Sequence, residues 1–154
     1  MNIYIASDHG GFELKDVVKK YLLELNHVPV DLGADVMVPD DDYPQYAFKL
    51  AQKVAEESKN GAMGILMCRS GVGMSISANK VKGVYAALCF TRENAMKARE
   101  HNDSNVLCLD ADYQDLDLHK EIIKAFIETE FGGWDSRHGR RVLQIQDFEQ
   151  THLT

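Results

Sequence analysis

The chain has 154 residues, 45% of them apolar and 27% charged, the proportions of one soluble globular domain. Its formal net charge is −7 and its 17 Lys and Arg residues are scattered, which excludes the basic face that a nucleic-acid partner needs. An anionic small substrate is still allowed, because a few local cations outweigh a weak global field.

The N-terminus, Met1-Asn2-Ile3-Tyr4-Ile5, lacks a basic leader region and runs straight into patterned sequence, so no signal peptide is expected. Residues 3–6 read as a buried strand, and residues 12–25 carry Leu14, Val17, Val18, Tyr21, Leu22 and Leu25 on one helical face. A strand at 28–32 is followed by a helix at 46–55 with Ala47, Leu50, Ala51 and Val54. A strand at 64–67 leads into a glycine-containing loop and a helix at about 74–80. A strand at 84–88 precedes a weaker helix at 92–100. The last strand, 105–109, precedes a strong helix at 118–131 and, after Gly132-Gly133, an amphipathic stretch at 141–149. No apolar run approaches the roughly 20 residues that cross a bilayer.

Five alternations of strand and helix predict one α/β domain over residues 1–154: a Rossmann-like, doubly wound, five-stranded parallel sheet with helices on both faces and a C-terminal helix. Ligands in such folds sit outside the carboxyl ends of the strands, near a switch in strand order. Those ends lead into Ser7-Asp8-His9-Gly10-Gly11, Gly33-Ala34-Asp35, Cys68-Arg69-Ser70-Gly71-Val72-Gly73, Cys89-Phe90-Thr91 and Asp110-Ala111-Asp112, where the polar and glycine residues gather.

Gly71 and Gly73 let the third loop turn tightly, with N–H groups aimed at an anion above the following helix; a thiol in that field is favoured as thiolate. An ordinary strand-to-helix turn with a buried structural Cys68 is an equally plain reading. A phosphatase cradle is excluded, because Met74 stands where its Arg is required, and no G-x-G-x-x-G nucleotide fingerprint is present. Asp8 and His9 can bind sugar hydroxyls and phosphate, or serve as a helix cap and an exposed imidazole. His101-Asn102 can act as acid/base and hydroxyl contact, or as a basic residue and cap at a helix C-terminus. Arg137-His138-Gly139-Arg140-Arg141 suggests bidentate phosphate contacts, or a solvated basic turn. His27, His119 and His152 read as surface residues, and Cys89 and Cys108 as core. The three cysteines show no C-x-x-C pair, so neither zinc nor redox chemistry is indicated, no metal or cofactor is expected, and a reducing, cytoplasmic setting fits.

At these positions the chain resembles the ribose-5-phosphate isomerase B family, which includes the galactose-6-phosphate isomerase subunits LacA and LacB. The likeness runs through residues 7–15, Asp42-Tyr43-Pro44, Gly64-Ile65-Leu66 with Cys68, residues 71–80, Arg99-Glu100-His101-Asn102-Asp103 and Arg137-His138. The resemblance implies a sugar-phosphate substrate and aldose–ketose isomerisation through an enediolate, with ribose 5-phosphate and ribulose 5-phosphate, of the pentose phosphate pathway, as the first expectation. It implies Cys68 as the base, Ser70 and the N–H groups of Gly71, Val72 and Gly73 around the oxyanion, and His101 helped by Asp8 in ring opening. Asn102 and Tyr43 would contact the sugar, and His9, Arg137 and Arg141 the phosphate. It also implies a homodimer or homotetramer whose sites are shared, His101 and the arginines reaching into the partner's site.

The chain departs from the family at three places. The family loop reads Cys-Gly-Thr-Gly where this one reads Cys68-Arg69-Ser70-Gly71, and Asp112 stands where the family carries an Arg of its phosphate grip. Trp134-Asp135-Ser136 is inserted before Arg137. Arg69 is therefore expected either to replace the missing cation or to pair with Asp112 and reshape the pocket. Another substrate (a tetrose, a different pentose or a hexose 6-phosphate) or a non-catalytic sugar-phosphate-binding domain are the alternative readings.

Overall fold

The structure is a computed structural model, and it describes residues 1–112 and 115–152. Five strands, β1 (Asn2–Ser7), β2 (Val28–Asp31), β3 (Met63–Cys68), β4 (Ala86–Leu88) and β5 (Val106–Asp110), form one sheet in the order β2-β1-β3-β5-β4. Every pairing is parallel. The helices are α1 (Phe12–Glu24), α2 (Tyr43–Glu56), α3 (Val72–Ala78), α4 (Arg92–Asn102), α5 (Leu116–Glu128) and α6 (Arg137–His152), with short 3₁₀ turns at His9–Gly11 and Ser58–Asn60. The doubly wound parallel fold expected from the alternation is the one observed.

Side-chain alternation along the strands sorts the core into two layers. Ile3, Ile5, Ile65, Met67, Leu107 and Leu109 face α1, α4 and α5, packing on Leu14, Val18, Leu22, Ala95, Ile123 and Phe126. Tyr4, Ala6, Leu66, Cys68 and Cys108 face α2 and α3, packing on Leu50, Ala51, Val54, Met74 and Ala78. Because β1 connects outward to β2 over one face and β2 returns to β3 over the other, the strand order reverses between β1 and β3. The crevice at their carboxyl ends is the expected ligand position. No helix among the described residues is long and apolar enough to cross a membrane.

Several boundaries differ from those read in the sequence. Helix α2 starts at Tyr43 rather than 46, since Pro44 in the first turn costs no hydrogen bond. Helix α6 starts at Arg137 rather than 141, so Arg137 and His138 form a helical turn, not a loop. Helix α3 spans Val72–Ala78 rather than 74–80, and β4 shortens to Ala86–Leu88: the Val84 N–H closes on the Val81 carbonyl, and the Tyr85 N–H is taken by the Asn105 side chain. Asp103, with φ +48°, caps α4 in place of Asn102. His119 is buried, not on the surface: its Nε2 lies 3.0 Å from the Asp110 carbonyl, and burial lowers its pKa. His27 is half-buried, while His152 is exposed. Cys89 and Cys108 are core residues, as expected, with burial driving the Cys89 thiol up to about 11.

Lys15 is 2% exposed although it lies beside the apolar stripe of α1. Its Nζ donates to the Ala34 carbonyl at 2.7 Å and reaches Asp31 Oδ2 at 3.0 Å, 5.0 Å from the Phe12 ring. Asp31 is held below its ordinary pKa: burial would raise it, but the Gly33 N–H and the two lysines outweigh that. This buried pair fastens α1 to the start of the loop that runs from β2 to α2.

Candidate active site

Parallel register puts two of the expected site residues side by side. Ser7 pairs with Met67, so the next residues on each strand, Asp8 and Cys68, leave the sheet together. Asp8 continues in extended conformation, with φ −84° and ψ −173°, so alternation directs both residues to the α2/α3 face, on strands about 4.8 Å apart. Both are buried. Asp8 Oδ1 accepts from the Gly11 N–H at 3.2 Å. Burial pushes the Asp8 carboxyl upward, opposed by that N–H and by His9. The capping role and the ligand-facing position thus coexist in Asp8.

The loop after Cys68 folds back over the thiol. Gly71 has φ +72°, a left-handed conformation that favours glycine, and its N–H donates to Cys68 Sγ at 3.2 Å. The Val72 N–H donates to Ser70 Oγ at 3.3 Å. Two of the three N–H groups expected to face an oxyanion are therefore engaged by the loop's own side chains. Tyr43, the first residue of α2, lays its ring on Gly73: a Cβ there would stand 2.7 Å from Tyr43 Cζ. Tyr43, Ser70 and the glycine loop thus surround Cys68 on one face.

His9, Arg69 and Asp112 line a cavity of about 360 Å³ with Glu13, Met37 and Leu116. Arg69 Nη1 lies 3.6 Å from Asp112 Oδ1, and the Asp112 N–H donates to the Arg69 carbonyl at 2.9 Å. Of the two expectations for Arg69, pairing with Asp112 is the one realised, through an exposed ion pair of small intrinsic strength. His9 is tied down by a residue that sequence reasoning missed. Asp41 Oδ1 accepts from the His9 N–H at 2.8 Å and lies 2.9 Å from His9 Nδ1. Asp41 sits in the acidic run Asp40-Asp41-Asp42 within the loop before α2, and nothing in its spacing marks it out.

Asp8, His9 and Asp41 each offer a ligand atom within 4.8 Å of the others, the only such trio among the described residues. The imidazole Nδ1 and the Asp41 carboxylate are already bonded to each other, an arrangement that a bound cation would have to break.

His101, Asn102, Arg137 and Arg141 lie elsewhere. Helix α4 starts beyond the carboxyl end of β4 and runs back, so its last residues sit at the amino end of β5, across about 17 Å of strand from Cys68. There the His101 and His138 rings stack at 4.1 Å, 3° from parallel. Arg137 Nε stands 3.5 Å from His138 Nε2. Desolvation and the neighbouring His101, Arg137 and Arg141 lower the pKa of His138. The Gly132 N–H donates to the Glu100 carbonyl at 2.8 Å, joining the segment before α6 to the end of α4. Asn102 Nδ2 makes only a long contact, 3.4 Å, to the Lys97 carbonyl. A larger cavity of about 410 Å³ also opens at this end, between Tyr85, Arg99, Asn105, Trp134 and Glu149, remote from the thiol.

The fold and site define a doubly wound α/β domain with a thiol and a carboxylate paired at its switch point. The comparisons agree with that class. The family model for Ribose/Galactose Isomerase matches residues 3–145, and the chain belongs to that family. Ribose-5-phosphate isomerase B of Mycolicibacterium paratuberculosis is 35% identical over 154 residues, covering 99% of this chain and 94% of the relative. The crystal structure of ribose-5-phosphate isomerase B from Mycoplasma genitalium, with bound ribulose 5-phosphate, superposes with a TM-score of 0.92 at 41% identity, covering 97% of both chains. Ribose-5-phosphate isomerase B of Clostridium thermocellum gives a TM-score of 0.91 at 37% identity, over 99% of both chains.

Proposed function

We propose that this chain is an aldose–ketose isomerase that interconverts ribose 5-phosphate and ribulose 5-phosphate in the cytoplasm. The observation that carries the reading is the in-register placement of Asp8 and Cys68 at the β1/β3 switch point, under a loop that donates an N–H to the thiol. The Cys68 thiolate takes the proton from C2 of the open-chain aldose, leaving a cis-enediolate, and returns it to C1 while the hydroxyl proton passes from O2 to O1, giving the ketose. Ser70 and the loop N–H groups turn toward the oxyanion as substrate displaces their internal bonds, and stabilise its charge electrostatically. Tyr43 bounds the sugar, and His9 contacts the phosphate.

The working unit in this reading is a homodimer. His101 and Asn102 cannot cross their own sheet, so the ring-opening group is His101 of the partner subunit, acting with Asp8. Arg137 and Arg141 cross with it and complete the phosphate grip. Apolar side chains stand exposed near each half: Val72, Ile76 and Phe90 beside the thiol loop, and Leu143, Ile145 and Phe148 on α6. Such surface suits a second copy of the chain.

The test is solvent proton exchange into ribulose 5-phosphate. Cys68→Ala is expected to lower exchange and isomerisation by about 10³-fold or more while ribulose 5-phosphate still binds. Isomerisation that survives the substitution would remove Cys68 as the base.

A further inference from the structure

Resting on the reading of His9 as a phosphate contact, we infer that Asp41 is a positioning residue that makes phosphate capture depend on a charged His9. The Asp41 side chain is 4% exposed, and one of its oxygens serves both the backbone N–H and Nδ1 of His9, at 2.8 and 2.9 Å. A carboxylate oxygen only accepts, so Nδ1 must carry a proton. In the neutral imidazole that tautomer leaves Nε2 as a bare acceptor, repelled by phosphate oxygens. Only the imidazolium holds protons on both nitrogens, so only the cation can donate Nε2–H to a phosphate while keeping Asp41.

The surroundings favour that cation. The hydrogen bond from Asp41 raises the pKa of His9, partial desolvation opposes it, and the charge of Asp8 adds to the rise. Arg69 pulls the other way, and Glu13 and Asp112 line the same cavity. Asp41 in turn is held below its ordinary pKa: burial would raise it, but the two His9 bonds and the Tyr46 hydroxyl outweigh that. Asp41 therefore stays an anion while His9 titrates. Because the folded-state pKa of His9 is raised, the charged pair is complete below the ordinary histidine value and is lost as pH rises through the raised one. The loop carrying Asp41 is itself fastened at its start by Lys15 on the Ala34 carbonyl.

The experiment compares wild type, Asp41→Asn and His9→Gln for KM and kcat with ribulose 5-phosphate from pH 6 to 9, with the His9 titration followed by NMR. Asparagine keeps an acceptor oxygen and removes the charge. The expected result for Asp41→Asn is a lower His9 pKa, an unchanged kcat, and a KM relative to wild type near or below parity at pH 6. That ratio should rise about three- to tenfold at pH values between the His9 pKa values of the two proteins, as located by NMR, and narrow again above both. A KM ratio that is flat with pH, or an unmoved His9 titration, overturns the role of Asp41. If His9→Gln leaves KM at the wild-type value throughout, the phosphate contact itself fails, and Asp41 fails with it.

Discussion

The two ends of the sheet each gather a cluster of polar groups, and they are built differently. At the carboxyl ends of β1 and β3, the groups are buried, backbone-bonded and set by strand register: Asp8 holds the Gly11 N–H, and Cys68 receives that of Gly71. At the other end, the His101–His138 stack, Asn102 and the two arginines stand on helix surfaces, partly open to solvent, held by few and long contacts. A buried set needs no partner to hold its geometry, whereas an exposed one gains its geometry on contact. Under the proposed homodimer, each chain presents the buried half as a mould and the exposed half as an insert.

The sharpest way to break this comparison is complementation. Cys68→Ala and His101→Ala should each be inactive alone. Mixed one to one and allowed to exchange subunits, they should recover about a quarter of wild-type activity, because half of the dimers are mixed and each mixed dimer holds one intact site. No recovery in a mixture shown to have exchanged would place the whole site within one chain.

A smaller, two-sided effect is expected from Asp8→Asn. Burial raises the folded-state pKa of Asp8 above that of the unfolded chain, so stability falls as pH rises between the two values, because ionising the buried carboxyl costs the fold. Asparagine keeps the acceptor for the Gly11 N–H and removes that charge. The midpoint of thermal unfolding should rise by about 2–4 °C at pH 7 while kcat for the cyclic aldose falls about 10- to 100-fold. A drop in thermal midpoint would mean that the carboxylate is a stabilising member of the switch-point pair. The smallest effect belongs to the exposed Arg69–Asp112 pair, where Arg69→Ala should change stability by less than about 1 kcal/mol in chemical denaturation. A larger loss would show that the pair anchors the loop over the thiol.

Much of the fold was legible because its causes are local. The 3.6-residue stripe of α1, the apolar runs of β1 and β3 and the glycines after Cys68 each state a preference within a few residues, and the structure follows them. The boundaries moved where a turn residue or a cap decided, as at Pro44 and Asp103. His119 was misread because burial depends on which face a helix turns to the sheet, and Lys15 escaped notice because a lysine within an apolar stripe reads as surface until its acceptors, Asp31 and Ala34, are in place.

The site was legible in part. Strand ends in an alternating pattern point to Asp8, His9 and Cys68 without any contact being known. The sequence by itself determined the class of fold, the thiol loop and the list of polar residues at the strand ends, because propensity and periodicity act over short stretches of chain. Only the tertiary structure decided that Asp8 and Cys68 share a face, that Arg69 turns away to Asp112, that Asp41 arrives beside His9, and that His101 stands at the far end of the sheet. Those facts depend on register and strand order, and both are fixed by contacts between residues remote in sequence.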